Sequence, residues 1–301
     1  MPEILILGTG AMASLFGARL AATGKEVALL GTWAEAISTM RKKGILLTSD
    51  QTGDYYQVQA EFSIDQIQQV EMALVLVKSW QTRRAAQQLR ELLGPDGVAL
   101  TLQNGLGNVD ILREFLSAER AAAGVTTTGA TLLGPGRVRP GGEGVISVQE
   151  HLRLGPLVSI LEEAGFTVEV VKDLDRMIWE KLIINSAINP LTALLGVTNG
   201  RVLDSSSARA VMAAAAEETY QVADALGVAP DFGHPYQVVE QVAKRTAGNC
   251  SSMLQDVRRG APTEIDAING QVENLGKKCR VSTPVNGILT KLIKAQVDLS
   301  G

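Results

Sequence analysis

The sequence predicts an α/β fold in its first half and an all-helical fold in its second half. Short apolar runs alternate with helical patterns up to residue 171, as is typical of a parallel sheet covered by helices. From residue 172 onward the strand pattern stops, and long segments with helical spacing follow. A chain of 301 residues is also long for a single core. We therefore predict two domains, residues 1–171 and 172–301.

The composition argues against several classes of protein. The net charge of −4 and the pI near 5.4 give no basic surface for nucleic acid or anionic lipid. Cys250 and Cys279 are isolated, so we expect neither a metal site nor a disulfide framework. The apolar N-terminus lacks the basic segment of a signal peptide, and no run reaches the ~18 apolar residues of a membrane span. We expect a cytoplasmic protein without membrane or nucleic-acid partners.

A glycine-containing turn follows the first apolar run. It reads Gly8-Thr9-Gly10-Ala11-Met12-Ala13 and lies between a predicted strand and a predicted helix, with a second strand close behind. Gly8 permits the tight turn, Gly10 lets a pyrophosphate approach the backbone, and Ala13 replaces the third glycine at the helix–sheet contact. The helix N-terminus adds N–H groups for the phosphates. The pattern predicts a Rossmann-type dinucleotide-binding domain.

The residues after the second strand bear on the choice of dinucleotide. A carboxylate there would bind the ribose 2′-hydroxyl of NADH, and an arginine would pair with the 2′-phosphate of NADPH. The sequence has Gly31, Thr32 and Trp33 instead. The missing carboxylate favours NADPH, with Thr32 as a donor to the phosphate and Arg41 or Lys42 as nearby cations. The missing arginine leaves NADH as an alternative.

Two polar segments follow later strands of the first half. Ligands of α/β sheets bind at the carboxyl ends of the strands. Lys78 follows the apolar run 72–77, although a lone lysine after a strand is more often a solvated loop residue. Asn104 follows the run 98–102, and the glycines beside it would let its amide approach a nicotinamide or a substrate.

Other segments are expected to form the scaffold. The loop 135–144 is rich in glycine and is predicted to be a flexible cover, with Arg137 and Arg139 facing water. The helical pattern at 207–226 is predicted to bury its apolar face, with Glu217 and Glu218 outward.

The most informative helical pattern carries three polar residues on one face. Lys181, Asn185 and Asn189 lie at i, i+4 and i+8. Pro190 is expected to bend or end this helix and to leave Asn199 on the following turn. A polar stripe that faces water is the alternative interpretation, but amides replace the charged residues that normally solvate a helix.

Hydride transfer to a carbonyl explains this polar face well. The reaction needs a group that protonates the carbonyl oxygen as the hydride arrives. The two histidines, His151 and His234, are unconvincing acids, because one begins a loop and the other precedes a proline. Lys181 is the better proton donor, and Asn185 and Asn189 would orient a substrate without cancelling its positive charge.

Two residues near the C-terminal end have both a structural and a functional interpretation. Ser252, next to Ser251, either caps a helix or donates to the carboxylate of a 2-keto acid. Glu264 lies in the first turn of a helix predicted to start at residues 262–264, where an acid ordinarily compensates the helix dipole. If Glu264 reached Lys181, it would instead keep the amine charged.

Motifs in this order along the whole chain resemble those of one enzyme family. They are LGTGAMA, VKSWQ, QNGLGN, WEKLIINSAINPLTAL, TNG and SSMLQDVRRGAPTEIDAINGQV. With them the chain resembles the ketopantoate reductase family, also called the 2-dehydropantoate 2-reductases, over essentially its full length. The resemblance implies NADPH-dependent reduction of 2-dehydropantoate, a small 2-keto acid, to (R)-pantoate on the way to pantothenate and coenzyme A.

The resemblance also implies roles for individual residues. Lys181 would be the catalytic acid, and Glu264 would support it or bind the cofactor ribose. Thr32 stands where family members often have an arginine, which keeps NADH in question. The implied substrate contacts are Asn104, Asn185, Asn189, Asn199 and Ser252, and the implied cofactor contacts are Gly8, Thr9, Gly10, Ala11, Met12, Ala13, Thr32, Lys78, Asn104 and Glu264.

Two other functions fit the same sequence. One is a reductase of another 2-keto acid, because related two-domain dehydrogenases also place a lysine on a helix of the second domain. The other is a non-catalytic dinucleotide sensor, although a sensor has no need of a proton donor such as Lys181. The apolar stretches of the second half are compatible with a homodimer as well as with a core.

Overall fold

A computed structural model describes residues 2–48 and 52–299 and divides the chain into two units. The first unit combines the residues up to Gln103 with Asn108–Leu174. The second unit combines the short segment Asn104–Gly107 with the residues from Asp175 onward. The first unit is α/β and the second is helical, so the predicted fold class is confirmed.

Strands occur in the first unit, and long helices dominate the second. The strands are β1 (Ile4–Leu7), β2 (Val27–Leu30), β3 (Ile45–Thr48), β4 (Gly53–Tyr56), β5 (Gln59–Glu61), β6 (Val70–Val75), β7 (Leu93–Thr101), β8 (Ala121–Thr126), β9 (Ala130–Gly134), β10 (Arg137–Pro140), β11 (Val145–Gln149) and β12 (Thr167–Val171). The helices are α1 (Ala11–Ala22), α2 (Ala34–Lys43), α3 (Thr82–Leu92), α4 (Asn108–Leu116), α5 (Gly155–Glu163), α6 (Leu174–Leu195), α7 (Ser206–Ala225), α8 (Pro235–Arg245), α9 (Ser252–Arg258), α10 (Gln271–Cys279) and α11 (Pro284–Leu299).

The main sheet of the first unit has the order β12-β11-β8-β7-β6-β1-β2-β5. Neighbouring strands are parallel except β11, which runs antiparallel to β8. β1 lies between β2 and β6, and all its residues are fully buried, which explains its continuous apolar sequence. This central strand delivers the glycine turn to the carboxyl edge of the sheet.

A second sheet of the first unit has the order β4-β3-β10-β9. It includes part of the loop 135–144, because Arg137–Pro140 forms β10 and pairs with β9 and β3. The prediction of a flexible cover is therefore wrong for these residues, since backbone pairing holds them in the sheet. Arg137 and Arg139 are exposed on either side of the buried Val138, as predicted.

Helix α6 is the longest element of the helical part and continues through Pro190 to Leu195. Of the two predicted effects of Pro190, a bend or an end of the helix, the end is therefore wrong. Two apolar clusters pack around α6 within the second unit. One joins Ile183 and Ile188 to α7 and α8, and the other joins Leu182 to the segment that precedes α10. Asn199 begins the short 3-10 turn after this helix.

The segment after Pro262 begins as a π-helical turn. Asp266–Gly270 forms this turn, and the Gly270 N–H donates to the Ile265 carbonyl at 3.0 Å, an i to i+5 bond. Helix α10 continues directly from it. Glu264 therefore precedes the helix, which corrects the prediction that a helix starts at residues 262–264. Single π turns are rare in proteins, and those that occur are often found at functional sites.

Glu218 is buried, which contradicts its predicted outward position. Its carboxylate accepts hydrogen bonds from the N–H groups of Val285 and Asn286 at 2.8 and 2.9 Å, and from the Asn286 Nδ2 at 2.8 Å. These donors lie in the first turn of α11. A carboxylate from α7 thus caps α11 and compensates its dipole.

None of the helices in residues 2–48 and 52–299 is both long and apolar enough to cross a lipid bilayer. The cytoplasmic location stays a prediction.

Replacing Glu218 with Ala should destabilise the helical unit by about 2–4 kcal/mol, because buried donors of α11 lose a charged acceptor. Urea unfolding followed by circular dichroism measures this loss. Glu217→Ala, one residue earlier and exposed, is the matched control and should change the free energy of unfolding by less than about 0.5 kcal/mol. Equal losses in both variants would show that the cap does not contribute.

Candidate active site

The glycine turn between β1 and α1 is shaped for an approaching anion. Gly8 has φ +130°, and a Cβ atom there would lie 3.0 Å from the Leu76 carbonyl oxygen, so the position requires glycine. Gly10 is exposed, and a Cβ atom there would meet no described atom within 4 Å. Among the described residues, no side chain caps the N-terminus of α1, and the first turn of this helix contains no acidic residue. Free N–H groups and open space therefore fit the phosphates of a dinucleotide.

The other residues of the glycine turn differ in how deeply they are buried. Thr9 and Ala13 are buried, whereas Ala11 and Met12 are partly exposed. The full burial of Ala13 agrees with a helix–sheet contact at the third position of the motif.

The residues after β2 offer few partners for a 2′-phosphate. Thr32 is exposed, and its hydroxyl accepts a hydrogen bond from the Gln81 Nε2 at 3.4 Å. Arg41, one of the two predicted cations, forms a salt bridge with Glu61 and donates to the Ala60 carbonyl at 2.6 Å. Because Arg41 already has an acidic partner, the structure argues against it as the cation for a 2′-phosphate.

Lys78 lies after β6, immediately before the 3-10 turn Ser79–Gln81. It is partly buried, so it is not the fully solvated loop residue of the alternative interpretation. Gln103 donates to the Val77 carbonyl at 2.8 Å and to the Thr82 hydroxyl at 2.9 Å, which ties the end of β7 to the turn at Lys78.

Three of the predicted site residues lie together in the helical unit. The Asn104 Nδ2 donates to the Glu264 Oε2 at 3.2 Å, and Glu264 is buried. Lys181 on α6 is partly buried and feels the charge of Glu264. Asn104 follows the carboxyl end of β7, as predicted, and its segment groups with the helical unit.

Backbone contacts hold this segment in place. The Leu106 N–H donates to the Ala267 carbonyl at 2.9 Å. Gly105 has φ +82°, and a Cβ atom there would collide with the same carbonyl oxygen. The position therefore requires glycine, which explains the QNGLG sequence around Asn104.

The environment of Lys181 changes its acidity. Burial lowers the pKa of Lys181 from 10.5 to about 8, while the attraction of the Glu264 carboxylate acts in the opposite direction and raises it. Loss of hydration is the larger effect. An amine with this pKa is mostly protonated at neutral pH and releases its proton far more readily than a surface lysine.

The predicted amides differ in exposure. The unbroken helix α6 keeps Asn185 and Asn189 on the face of Lys181, with Asn185 partly exposed and Asn189 buried. The Asn199 Nδ2 donates to the Thr246 hydroxyl at 2.9 Å, but its Oδ1 is buried without a hydrogen-bond partner among the described residues. An unsatisfied buried oxygen of this kind calls for a donor from a ligand or a water molecule.

The two serines before α9 have different roles. The Ser251 hydroxyl accepts from the Leu254 N–H at 3.1 Å and lies 2.7 Å from the Thr192 hydroxyl, so Ser251 is the helix cap. Ser252 is the first residue of α9 and is partly exposed. The capping interpretation therefore belongs to Ser251 and not to Ser252.

Asn269 was not among the predicted site residues, although it lies within the motif SSMLQDVRRGAPTEIDAINGQV. This residue lies in the π turn and is fully buried. Its Nδ2 donates to the Ser186 carbonyl of α6 and to the Asn286 Oδ1, both at 2.9 Å. A signal was available in the sequence, because Pro190 has no N–H to donate to the carbonyl of Ser186.

Comparisons with known proteins identify the family of the chain. The family described as "Ketopantoate reductase PanE/ApbA" matches residues 4–153, and its C-terminal counterpart matches residues 173–297. The 2-dehydropantoate 2-reductase of Archaeoglobus fulgidus is 34% identical over 97% of both chains. A PanE/ApbA family ketopantoate reductase from Ralstonia eutropha JMP134 has a TM-score of 0.91 and 30% identity, and covers 98% of both chains. A D-mandelate dehydrogenase solved with NADH and anilino(oxo)acetate has a TM-score of 0.90 and 29% identity over the same share.

These matches cover both units and confirm the resemblance inferred from the motifs. The chain belongs to the ketopantoate reductase PanE/ApbA family of NAD(P)-dependent oxidoreductases.

Proposed function

We propose that the protein reduces 2-dehydropantoate to (R)-pantoate with NADPH and that Lys181 is the proton donor. The observation that carries this proposal is the group of Lys181, Glu264 and Asn104, in which burial brings the pKa of the lysine to about 8. A partly buried amine beside a buried carboxylate suits proton transfer better than it suits structural support, for which an apolar side chain would serve.

Each member of this group has a separate task in the proposed reaction. When bound, the reduced dinucleotide supplies a hydride to the keto carbon of the substrate. The Lys181 ammonium donates a proton to the keto oxygen, which becomes the hydroxyl of the product, and the amine regains a proton from solvent. Glu264 favours the charged amine before transfer, and the Asn104 amide orients the Glu264 carboxylate.

Binding of the dinucleotide is assigned to the first unit. The N–H groups at the start of α1, with Gly8 and Gly10, would hold the pyrophosphate. Thr32 would contact the 2′-phosphate through its hydroxyl, and Lys78 would add positive charge at the carboxyl edge of the sheet. NADPH is proposed because no carboxylate follows β2 to bind a ribose 2′-hydroxyl.

The remaining polar residues of the helical unit are assigned to the substrate. Asn185, Asn189 and Ser252 would donate hydrogen bonds to its carboxylate and keto groups. The unsatisfied Oδ1 of Asn199 needs a donor, and the hydroxyl of 2-dehydropantoate is one. With a 2-keto acid that has no hydroxyl, a water molecule would have to supply this donor, so the oxygen supports 2-dehydropantoate.

Reduction of another 2-keto acid with NADH is the second candidate function. It is favoured by the similarity to a D-mandelate dehydrogenase and by Thr32 and the engaged Arg41 after β2. The sensor function is less well supported, because a sensor would not need an amine with a lowered pKa. A homodimer stays an expectation.

Purified protein should oxidise NADPH rapidly when 2-dehydropantoate is added, and NADH more slowly. The measurement is the loss of absorbance of the reduced nicotinamide, repeated with the 2-keto acid that corresponds to mandelate. Faster turnover of the aromatic acid with NADH would favour the second candidate. Silence with both acids and both dinucleotides would contradict the proposed function.

Replacing Lys181 with Ala should lower kcat by about 10²–10⁴-fold, because the reaction loses its proton donor. The Kd of the dinucleotide, measured by fluorescence titration, should change little. Lys278→Ala on the exposed surface of α10 removes the same charge from the same unit and serves as control. Near-normal turnover of the Lys181 variant would remove the lysine from the proposed role.

The kcat should be highest below pH 8 and should fall as pH rises through about 8, because only the protonated form of Lys181 can donate. In Glu264→Gln the attraction that raises the pKa of Lys181 is lost, so the midpoint should move to lower pH. Steady-state rates from about pH 6 to about pH 10 measure both midpoints. An unchanged midpoint in Glu264→Gln would show that Glu264 does not raise the pKa of Lys181.

A further inference from the structure

Helix α6 contains an acceptor that the helix itself cannot satisfy. In an α-helix the carbonyl of Ser186 would accept from the N–H of residue 190, but Pro190 has no N–H. The Asn269 Nδ2 takes the place of this donor at 2.9 Å. The missing bond of α6 is thus replaced by a bond to the π turn, which explains how the helix continues past Pro190.

The hydrogen bonds of Asn269 identify its side chain as a double donor. Both bonds of its amide run from Nδ2, one to Ser186 and one to the Asn286 Oδ1, whereas its own Oδ1 is buried without a partner in the described part of the chain. A buried oxygen without a partner is unfavourable, so the two bonds from Nδ2 are the favourable contacts of this side chain. A neutral side chain with two donors is what the two acceptors require.

Glu264 lies two residues before the π turn and is tied to it through its backbone carbonyl. The Glu264 carbonyl accepts from the N–H groups of Ala267 and Ile268 at 3.0 and 3.1 Å. The turn closes over five residues, so Glu264 and Asn269, five apart in sequence, lie about one turn from each other. On α6, Lys181 lies five residues before Ser186, a little more than one helical turn away. Two links therefore join the π turn to α6, one through charge and one through the Asn269 amide.

We propose that Asn269 is a positioning residue that fixes Glu264 against Lys181 by binding the carbonyl that Pro190 leaves free. It does not touch the substrate; it acts through the place of the π turn. Without the Asn269 bond the turn can shift away from α6 and carry the Glu264 carboxylate with it. The attraction on the Lys181 amine then weakens while its loss of hydration stays. This inference rests on the proton-donor step of the proposed function.

The test compares Asn269→Leu, which has a similar volume but no donor, with the double variant Asn269→Leu/Pro190→Ala. The Pro190→Ala change restores an N–H to the Ser186 carbonyl from within α6, but it restores no bond to the π turn. Pro190→Ala alone is the reference for the double variant. For each protein the kcat, the Kd of the dinucleotide, the pH midpoint of kcat and the melting temperature are measured.

We expect the variants to change kcat and the melting temperature independently. Asn269→Leu should lower kcat about tenfold and move the pH midpoint down by about half a unit, with an unchanged Kd for the dinucleotide. It should also lower the melting temperature. The double variant should regain much of the melting temperature but not kcat or the midpoint, because the link to Glu264 is still missing.

Two results would overturn the inference. One is a wild-type kcat and midpoint in Asn269→Leu. The other is recovery of kcat together with the melting temperature in the double variant, which would mean that Asn269 serves only the integrity of α6. Val239→Ala on α8, fully buried in the same unit and remote from the π turn in sequence, is the control for general destabilisation. It should lower the melting temperature without moving the midpoint.

Failure of the proposed function would look different. If the wild-type protein reduced no 2-keto acid, the proposed role of Lys181 as proton donor would be contradicted. The melting temperatures would still test whether Asn269 and Pro190 are coupled through the Ser186 carbonyl.

Discussion

The loss of hydration around the Lys181 amine is the constraint on which the proposed chemistry of the helical unit depends. A lysine in water holds its proton tightly, and burial near apolar residues of α6 weakens that hold until its pKa reaches about 8. Left alone, burial would neutralise the amine further, and the nearby Glu264 carboxylate counteracts it. The carboxylate is itself buried and needs a donor, which Asn104 provides. The Lys181 amine, the Glu264 carboxylate and the Asn104 amide thus connect three segments that lie far apart in the chain.

Much of this architecture was readable from the sequence, because it depends on local patterns. The apolar run of β1 and the turn from Gly8 to Ala13 required only the periodicity of a buried strand and the conformational needs of glycine. The polar face of α6 followed from helical spacing. The residues that fold together in the site were harder to predict, because contacts between remote segments leave no periodic signal.

The wrong expectations share a physical cause. Arg137–Pro140 looked like a loop because of its flanking glycines, yet its backbone groups found partners in β3 and β9. Glu218 looked like a surface acid, yet its buried carboxylate accepts hydrogen bonds from the N–H groups at the N-terminus of α11. Pro190 looked like a bend or an end of the helix, yet α6 continues to Leu195 and Asn269 supplies the missing donor. In each case a tertiary partner satisfied a backbone group that the local sequence left unsatisfied.

The grouping of Asn104–Gly107 with residues from Asp175 onward makes the helical unit discontinuous along the chain. During synthesis this short piece leaves the ribosome long before Ala267, its backbone partner, has been made. If the first unit folds during synthesis, it does so before this stretch has its backbone partner. Cutting the gene at the junction between the halves would separate the Asn104 amide from the Glu264 carboxylate that accepts its hydrogen bond, so neither fragment would encode all of the proposed catalytic residues.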